Sequence, residues 1–341
     1  MTTPTTDPPD VFTAYGSNAF RLTLRQWTVV TLVTLAFAAL APPLWQRLES
    51  FTVGPDFRMN YELSNDYALF QRAAAHAARN HDIILLGDSV AWGQYVKREQ
   101  TLSHHLNELL GSDRVANLGV DGMHPLALAG LIQNDGSPIT NKNVILLCNP
   151  LWMSSPKHDL QTDDEFRFNH PKLVPQFSPN IPCNKDDVNT RLGNIAERSS
   201  AFLGWTSHMQ QTYFDKTDIP AWTLEHPYSL PGSSITLTVP QDSNVYRHEP
   251  IAWTARGTKP QDFPFVTLNS SLQWRAFKTI IDTLNARGNQ VAIVIVPLNE
   301  HMMTPASRQK YVELVGHMHD DLRSQFPSLT TFAPPVLPSD M

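Results

Sequence analysis

Three short runs constrain the fold more than any other feature: "IILL" at Ile83 to Leu86, "NVILL" at Asn143 to Leu147, and "QVAIVIVP" beginning at Gln290. Each is apolar on consecutive residues rather than on alternate ones. A strand of that kind has no polar face to offer water and must be covered on both sides, which is the habit of parallel sheets. Helical periodicity fills the chain between them. Tyr67 to Arg79 is dense in strong helix formers, and Thr101 to Leu110 places Leu102, Leu106, Leu109 and Leu110 at helical spacing before Gly111, a residue suited to end a helix. Leu126 to Ile132 follows the same rule. Ser271 to Arg287 carries Trp274, Phe277, Ile280, Ile281 and Leu284 on one face, and Pro305 to Phe326 is a further helix. "RVANLG" and "SLTTFAPP" read as two more short strands. Strands alternating with helices imply βαβ units and an α/β fold around a parallel sheet.

The alternation lapses twice. Between about Leu151 and Asn269 the chain breaks into Pro-rich loops with isolated short elements, read as a long insertion after the third strand and a candidate cap over the substrate side. Near the N-terminus, Gln26 to Gln46 runs for 21 residues without a charge. As a helix that stretch covers about 30 Å, roughly a bilayer core. Trp27 and Trp45 stand at its ends, where amphipathic rings favour the interface, and Arg21 and Arg25 precede it. The expected organisation is a cytoplasmic tail over 1–25, a transmembrane anchor over 26–46, a linker and helix over 47–80, and an extracytoplasmic domain over 81–341. The competing reading is a cleaved signal peptide, since Ala39-Leu40-Ala41 offers a small-residue cleavage pattern, but the leader before the apolar run is long for one.

A net charge of −6 and no Lys/Arg run give nothing for a phosphate backbone to bind, so nucleic acid is not an expected partner. Cys148 and Cys183 are the only cysteines. They lack the paired spacing of a zinc site and are expected as packed thiols, with one optional disulfide between them.

In an open parallel sheet, ligands collect beyond the carboxyl ends of the strands. The first apolar run delivers Gly87-Asp88-Ser89 there, the second strand "NLGVDG", and the third Cys148-Asn149. Gly87 allows close backbone approach, and Asp88 can pin the turn through its own side chain. A serine nucleophile needs donors aimed at a developing oxyanion. A backbone N–H beside Gly122 and the Asn149 carboxamide are the candidates.

These residues resemble the SGNH (GDSL-type) hydrolase superfamily, named for a serine, a glycine, an asparagine and a histidine in separate blocks. Gly87-Asp88-Ser89 matches the first block, with Val90 where leucine is commoner. Gly122 matches the second and Asn149 the third, although the third block usually reads Gly-x-Asn-Asp and here reads Cys148-Asn149-Pro150. The resemblance implies a flavodoxin-like three-layer α/β/α domain with Ser89, Gly122 and Asn149 as site residues and no cofactor. It also implies a base in an Asp-x-x-His block after the last strand, and "VLPSDM" holds none. His301 in "VPLNEH" is the candidate base within the chain, set against the plainer reading of a polar strand-end residue. It has Leu298 where the aspartate should stand. The expectation is a chain cut before its base, or a degenerate member in which Ser89 is not activated.

The anchor joined to such a domain is similar to envelope-modifying members: alginate O-acetylation proteins and the D-alanyl transfer protein of teichoic acid synthesis. That resemblance implies a serine esterase or O-acyltransferase acting on an acylated glycan or other small ester, with a membrane-bound O-acyltransferase as partner. The alternative is a catalytically silent scaffold or carbohydrate binder. For that role Trp205, Tyr213, Phe214, Trp222 and Trp253 are candidate sugar-stacking residues, unless they are core. A carrier-protein phosphopantetheine site at Ser89 fits poorly, because such serines open a helix in a small acidic helical domain.

Overall fold

The computed structural model describes residues 22–335, apart from 165–168, 246–250, 252–254 and 256. Residues 1–21 of the expected tail over 1–25, and Trp253, therefore lie outside the described residues. The chain divides into two units, residues 1–48 and 49–341. Within the first, helix α1 spans Leu24–Leu48, and its side chains are largely exposed. It is long and apolar enough to cross a membrane, with Arg47 in its last turn.

The second unit is an α/β domain on a five-stranded, wholly parallel sheet. The strands are β1 Ile83–Leu86, β2 Val115–Asn117, β3 Asn143–Cys148, β4 Gln290–Ile295 and β5 Thr330–Phe332, in the order β2-β1-β3-β4-β5. That order is one of the two common doubly wound ones, with its switch point between β1 and β3. The helices around the sheet are α2 Tyr67–Asn80, α3 Ser89–Trp92, α4 Leu102–Leu110, α5 Pro125–Asn134, α10 Leu272–Ala286 and α11 Pro305–Gln325. Gly111 takes φ +63 and closes α4 with its N–H on the Asn107 and Glu108 carbonyls, the left-handed stop that glycine permits.

The two faces of the sheet are covered unequally. Ile84, Leu86, Val144, Leu146, Ile293 and Ile295 meet apolar residues of α2, α5, α10 and α11 in one large core. On the opposite face Leu85, Leu147 and Val296 pack with Ala91 of α3 and Leu106 of α4, while Ile145 and Val294 stay half-buried. The apolar runs require cover on both faces, and α3 and α4 supply it mainly over β1 and β2.

Between β3 and α10 the chain is more helical than its proline content predicts. It forms α6 Val188–Ser199, α7 Ala201–Tyr213, α8 Ile219–Glu225 and α9 Pro231–Ser234. Polar contacts hold these helices. The Arg191 guanidinium donates to the carbonyls of Gln176, Asp186 and Asn184, and Arg198 donates to those of Lys172 and Val174. Tyr213, Phe214 and Trp222 are buried, so three of the aromatic residues expected as sugar platforms are core, and Trp205 is half-buried beside Phe202. Cys148 and Cys183 are both buried free thiols, as their packing role requires.

A buried ionic cluster fixes α7 to α2. His208 donates through Nδ1 to Asp66 at 2.6 Å and through Nε2 to Glu49 at 2.9 Å, and Glu49 also accepts from Tyr213 and Arg72. Burial opposes charge on His208, but the Asp66 and Glu49 carboxylates outweigh it and raise the imidazolium pKa to about 10. A raised folded-state pKa stabilises fully below the unfolded value near 6.5 and is lost as pH climbs through about 10. Chemical denaturation as a function of pH is therefore expected to show stability falling from pH ~6.5 to ~10, with His208→Gln less stable at neutral pH and lacking that part of the slope. An identical slope in the variant would contradict the assignment.

Candidate functional site

The site is assembled at the carboxyl ends of β1, β2 and β3. Gly87 follows β1, and a Cβ there would lie 3.0 Å from both Ala91 Cβ and Leu147 Cβ, so this position needs a small residue. The chain then turns through Asp88 into the single turn of α3. Asp88 Oδ1 accepts the Val90 N–H at 3.0 Å and caps that turn. Ser89 is the first residue of α3 and is half-buried, at the open side of the turn next to exposed Val90.

Asp88 does more than cap. Its other oxygen, Oδ2, accepts from Asn149 Nδ2 at 2.7 Å and from Trp152 Nε1 at 3.0 Å. The third strand end is thereby fastened to the residue before Ser89. Asn149 is buried, and its Oδ1 accepts the Leu151 N–H at 3.0 Å. Both ends of the carboxamide are thus assigned: oxygen toward Leu151, nitrogen toward the Asp88 carboxylate. An amide nitrogen carries two hydrogens, and the Asp88 carboxylate takes one of them. Burial drives the Asp88 pKa up, against the hydrogen bonds from Asn149, Val90 and Trp152 that favour the ionised form.

The second strand end reaches the same place through the backbone. Val120 N–H donates to the Gly87 carbonyl at 3.2 Å, and Asn117 Nδ2 donates to the Ala91 carbonyl at 2.9 Å while its oxygen accepts the Gly119 N–H. Gly119 is pressed against α3, where a Cβ would come within 2.3 Å of the Trp92 nitrogen. Gly122 follows with φ +68, and a Cβ there would meet the Asn169 side chain at 2.5 Å, so both conformation and space call for glycine. The neighbouring Asp121 carbonyl accepts from His170 Nε2 at 2.7 Å, and Tyr67 O–H bonds His170 Nδ1 at 3.2 Å. Asp121, Asn169 and Tyr67 line a recess of about 280 Å³ beside this loop, together with Lys172 and Gln211.

The histidines divide by environment. Burial lowers the His124 pKa to about 3 and that of His170 to about 4, so both are neutral. His124 Nδ1 accepts the Ala127 N–H and caps α5, and its ring lies 5.6 Å from that of Trp152. His158 Nδ1 sits 3.0 Å from both Ser154 and Ser155 hydroxyls, and burial followed by the Lys157 charge lowers its pKa. His301, the candidate base of the sequence, lies on the turn Glu300–Met302 beyond β4, half-buried, with its N–H donating to Asn299 Oδ1 at 3.1 Å.

The sequence missed two residues at this rim. Trp152 has no local motif to announce it. Arg58 is buried far upstream, donates to the carbonyls of Gly93 at 2.7 Å and Val96 at 2.9 Å, lies 3.9 Å over the Trp92 ring, and pairs with buried Asp242 at 3.0 Å. It clamps the loop leaving α3 from beneath.

No family model matches the chain. No curated protein matches its sequence either.

In Asp88→Asn, one of the side chain's two heads becomes a donor facing either Val90 N–H or the Asn149 and Trp152 donors. The expected result is a loss of about 1–3 kcal/mol in urea-denaturation stability, the cost of leaving a buried donor unsatisfied. Wild-type stability would show that the carboxylate does not hold the rim together.

Proposed function

We propose that this chain is a membrane-anchored, extracytoplasmic serine esterase or O-acyltransferase of the SGNH type, acting on acyl esters of a cell-envelope polysaccharide. One observation carries the reading. The Asp88 carboxylate binds Asn149 and Trp152 immediately before Ser89, at the ligand-binding edge of a parallel sheet. The serine and asparagine blocks are thus joined by a side-chain bond, with the glycine block bonded to Gly87. Order and strand-end placement match the SGNH pattern, with the segment between β3 and α10 as its long insertion and α1 as the anchor.

In this mechanism Ser89 Oγ attacks the acyl carbonyl carbon and its proton passes to a base. The tetrahedral oxyanion is received by the N–H groups of Ser89 and Gly122 and the other N–H of Asn149. Collapse expels the alcohol, which takes the proton, and leaves an acyl-Ser89. Water or a sugar hydroxyl then accepts the acyl group by the same steps reversed. Within the chain the proposed base is His301. A membrane-bound O-acyltransferase that supplies the acyl group is the proposed partner.

The test uses the full-length natural protein in membranes with a fluorophosphonate probe. Labelling is expected in the wild type and absent in Ser89→Ala, and Asn149→Ala is expected to slow hydrolysis of an aryl acetate by about 10²- to 10³-fold. A folded wild type that takes no label would replace this reading with the silent scaffold.

A further inference from the structure

A second candidate site, independent of the proposed activity, lies on α4. We propose that His104, His105 and Glu108 form a surface site for a divalent cation of the zinc class, with Asp56 as the positioning residue behind His104. The helix brings these side chains together because positions three and four apart are neighbours on its surface.

The hydrogen bond from His104 to Asp56 decides which nitrogen is available. His104 Nδ1 lies 2.9 Å from Asp56 Oδ2. A carboxylate only accepts, so the neutral ring carries its proton on Nδ1 and presents a lone pair at Nε2. That is the carboxylate–histidine arrangement which orients imidazole ligands in metal sites. His104 Nε2 is 3.4 Å from Glu108 Oε2, and His105 Nδ1 is 3.2 Å from the same oxygen.

A tetrahedral zinc ion with bonds of about 2.0–2.2 Å separates neighbouring ligand atoms by about 3.3–3.6 Å. Two edges of such a tetrahedron are therefore present or nearly so. All three ligand atoms lie within 4.8 Å of one another, so the third edge closes by a small rotation of His105. Its side chain is 57% exposed and that of Glu108 62%, which leaves both free to turn. The fourth position faces solvent and takes water. Two imidazoles and one carboxylate suit zinc and its late first-row neighbours, whereas calcium and magnesium select all-oxygen shells.

Binding would bridge α4 to the segment carrying Asp56. The experiment is calorimetric titration of ZnCl₂ into the full-length, tag-free protein after chelator treatment, with the melting temperature followed in parallel. One zinc at micromolar affinity and a raised melting temperature are expected. His104→Ala and Glu108→Gln are each expected to weaken binding at least tenfold, and Asp56→Asn about ten- to a hundredfold with the stoichiometry kept. Magnesium and calcium should give no heat. Zinc binding weaker than about 100 µM overturns the proposal. So does unchanged affinity in the His104→Ala/His105→Ala double variant, whose folding can be verified by circular dichroism.

Discussion

A carboxylate buried at the end of β1 constrains everything around it. Ionised Asp88 with no partners would cost several kcal/mol, so its two oxygens must find donors, and it takes them from three places: Val90, Asn149 and Trp152. Each donor belongs to a feature the site needs. Val90 lies in the turn that begins at Ser89, Asn149 follows β3 directly, and Trp152 stands near the start of the long segment after it. One charged group thus sets a helix start, an amide orientation and a strand-end spacing together. The cost of hiding it is what ties these three donors to one place.

The same economy recurs at a larger scale. Arg58 and Asp242 are buried together although 184 residues apart, and Arg58 also takes carbonyls from the loop after α3. His208 joins Asp66 and Glu49 in a second such cluster. These polar tethers hold the stretch between β3 and α10 to the segment ahead of β1. That stretch has few apolar stripes, so directional bonds to irregular backbone do the work that side-chain periodicity does elsewhere.

That division explains what was legible in the sequence. β1 was readable to the residue, and β3, β4, α5, α10 and α11 to within a few, because each is written in consecutive or periodic apolar residues. Helices α6 to α9 were not readable, since their stabilising partners are carbonyls whose positions no local pattern records. Ser89, Gly122 and Asn149 could be nominated because strand ends in a parallel sheet share one edge. The role of Asp88 was only half visible: its cap on Val90 is a local habit of aspartate, whereas its bonds to Asn149 and Trp152 span 61 and 64 residues. Trp152 and Arg58 carried no signal, as each acts through a partner distant in sequence.

The histidines near the rim sharpen the question of the base. A general base must take up a proton near neutral pH, and an imidazole held at a pKa of about 3 or 4 cannot do so. His124 and His170 are therefore builders: one caps α5, and the other bonds the Asp121 carbonyl next to the left-handed Gly122. His170 is fixed in one tautomer, with Nε2–H on a carbonyl and Nδ1 receiving the Tyr67 hydroxyl. His208, at the opposite extreme, is already an imidazolium with both N–H groups committed to carboxylates and has no lone pair to offer. The base that the proposed mechanism asks for is therefore none of His124, His170 and His208.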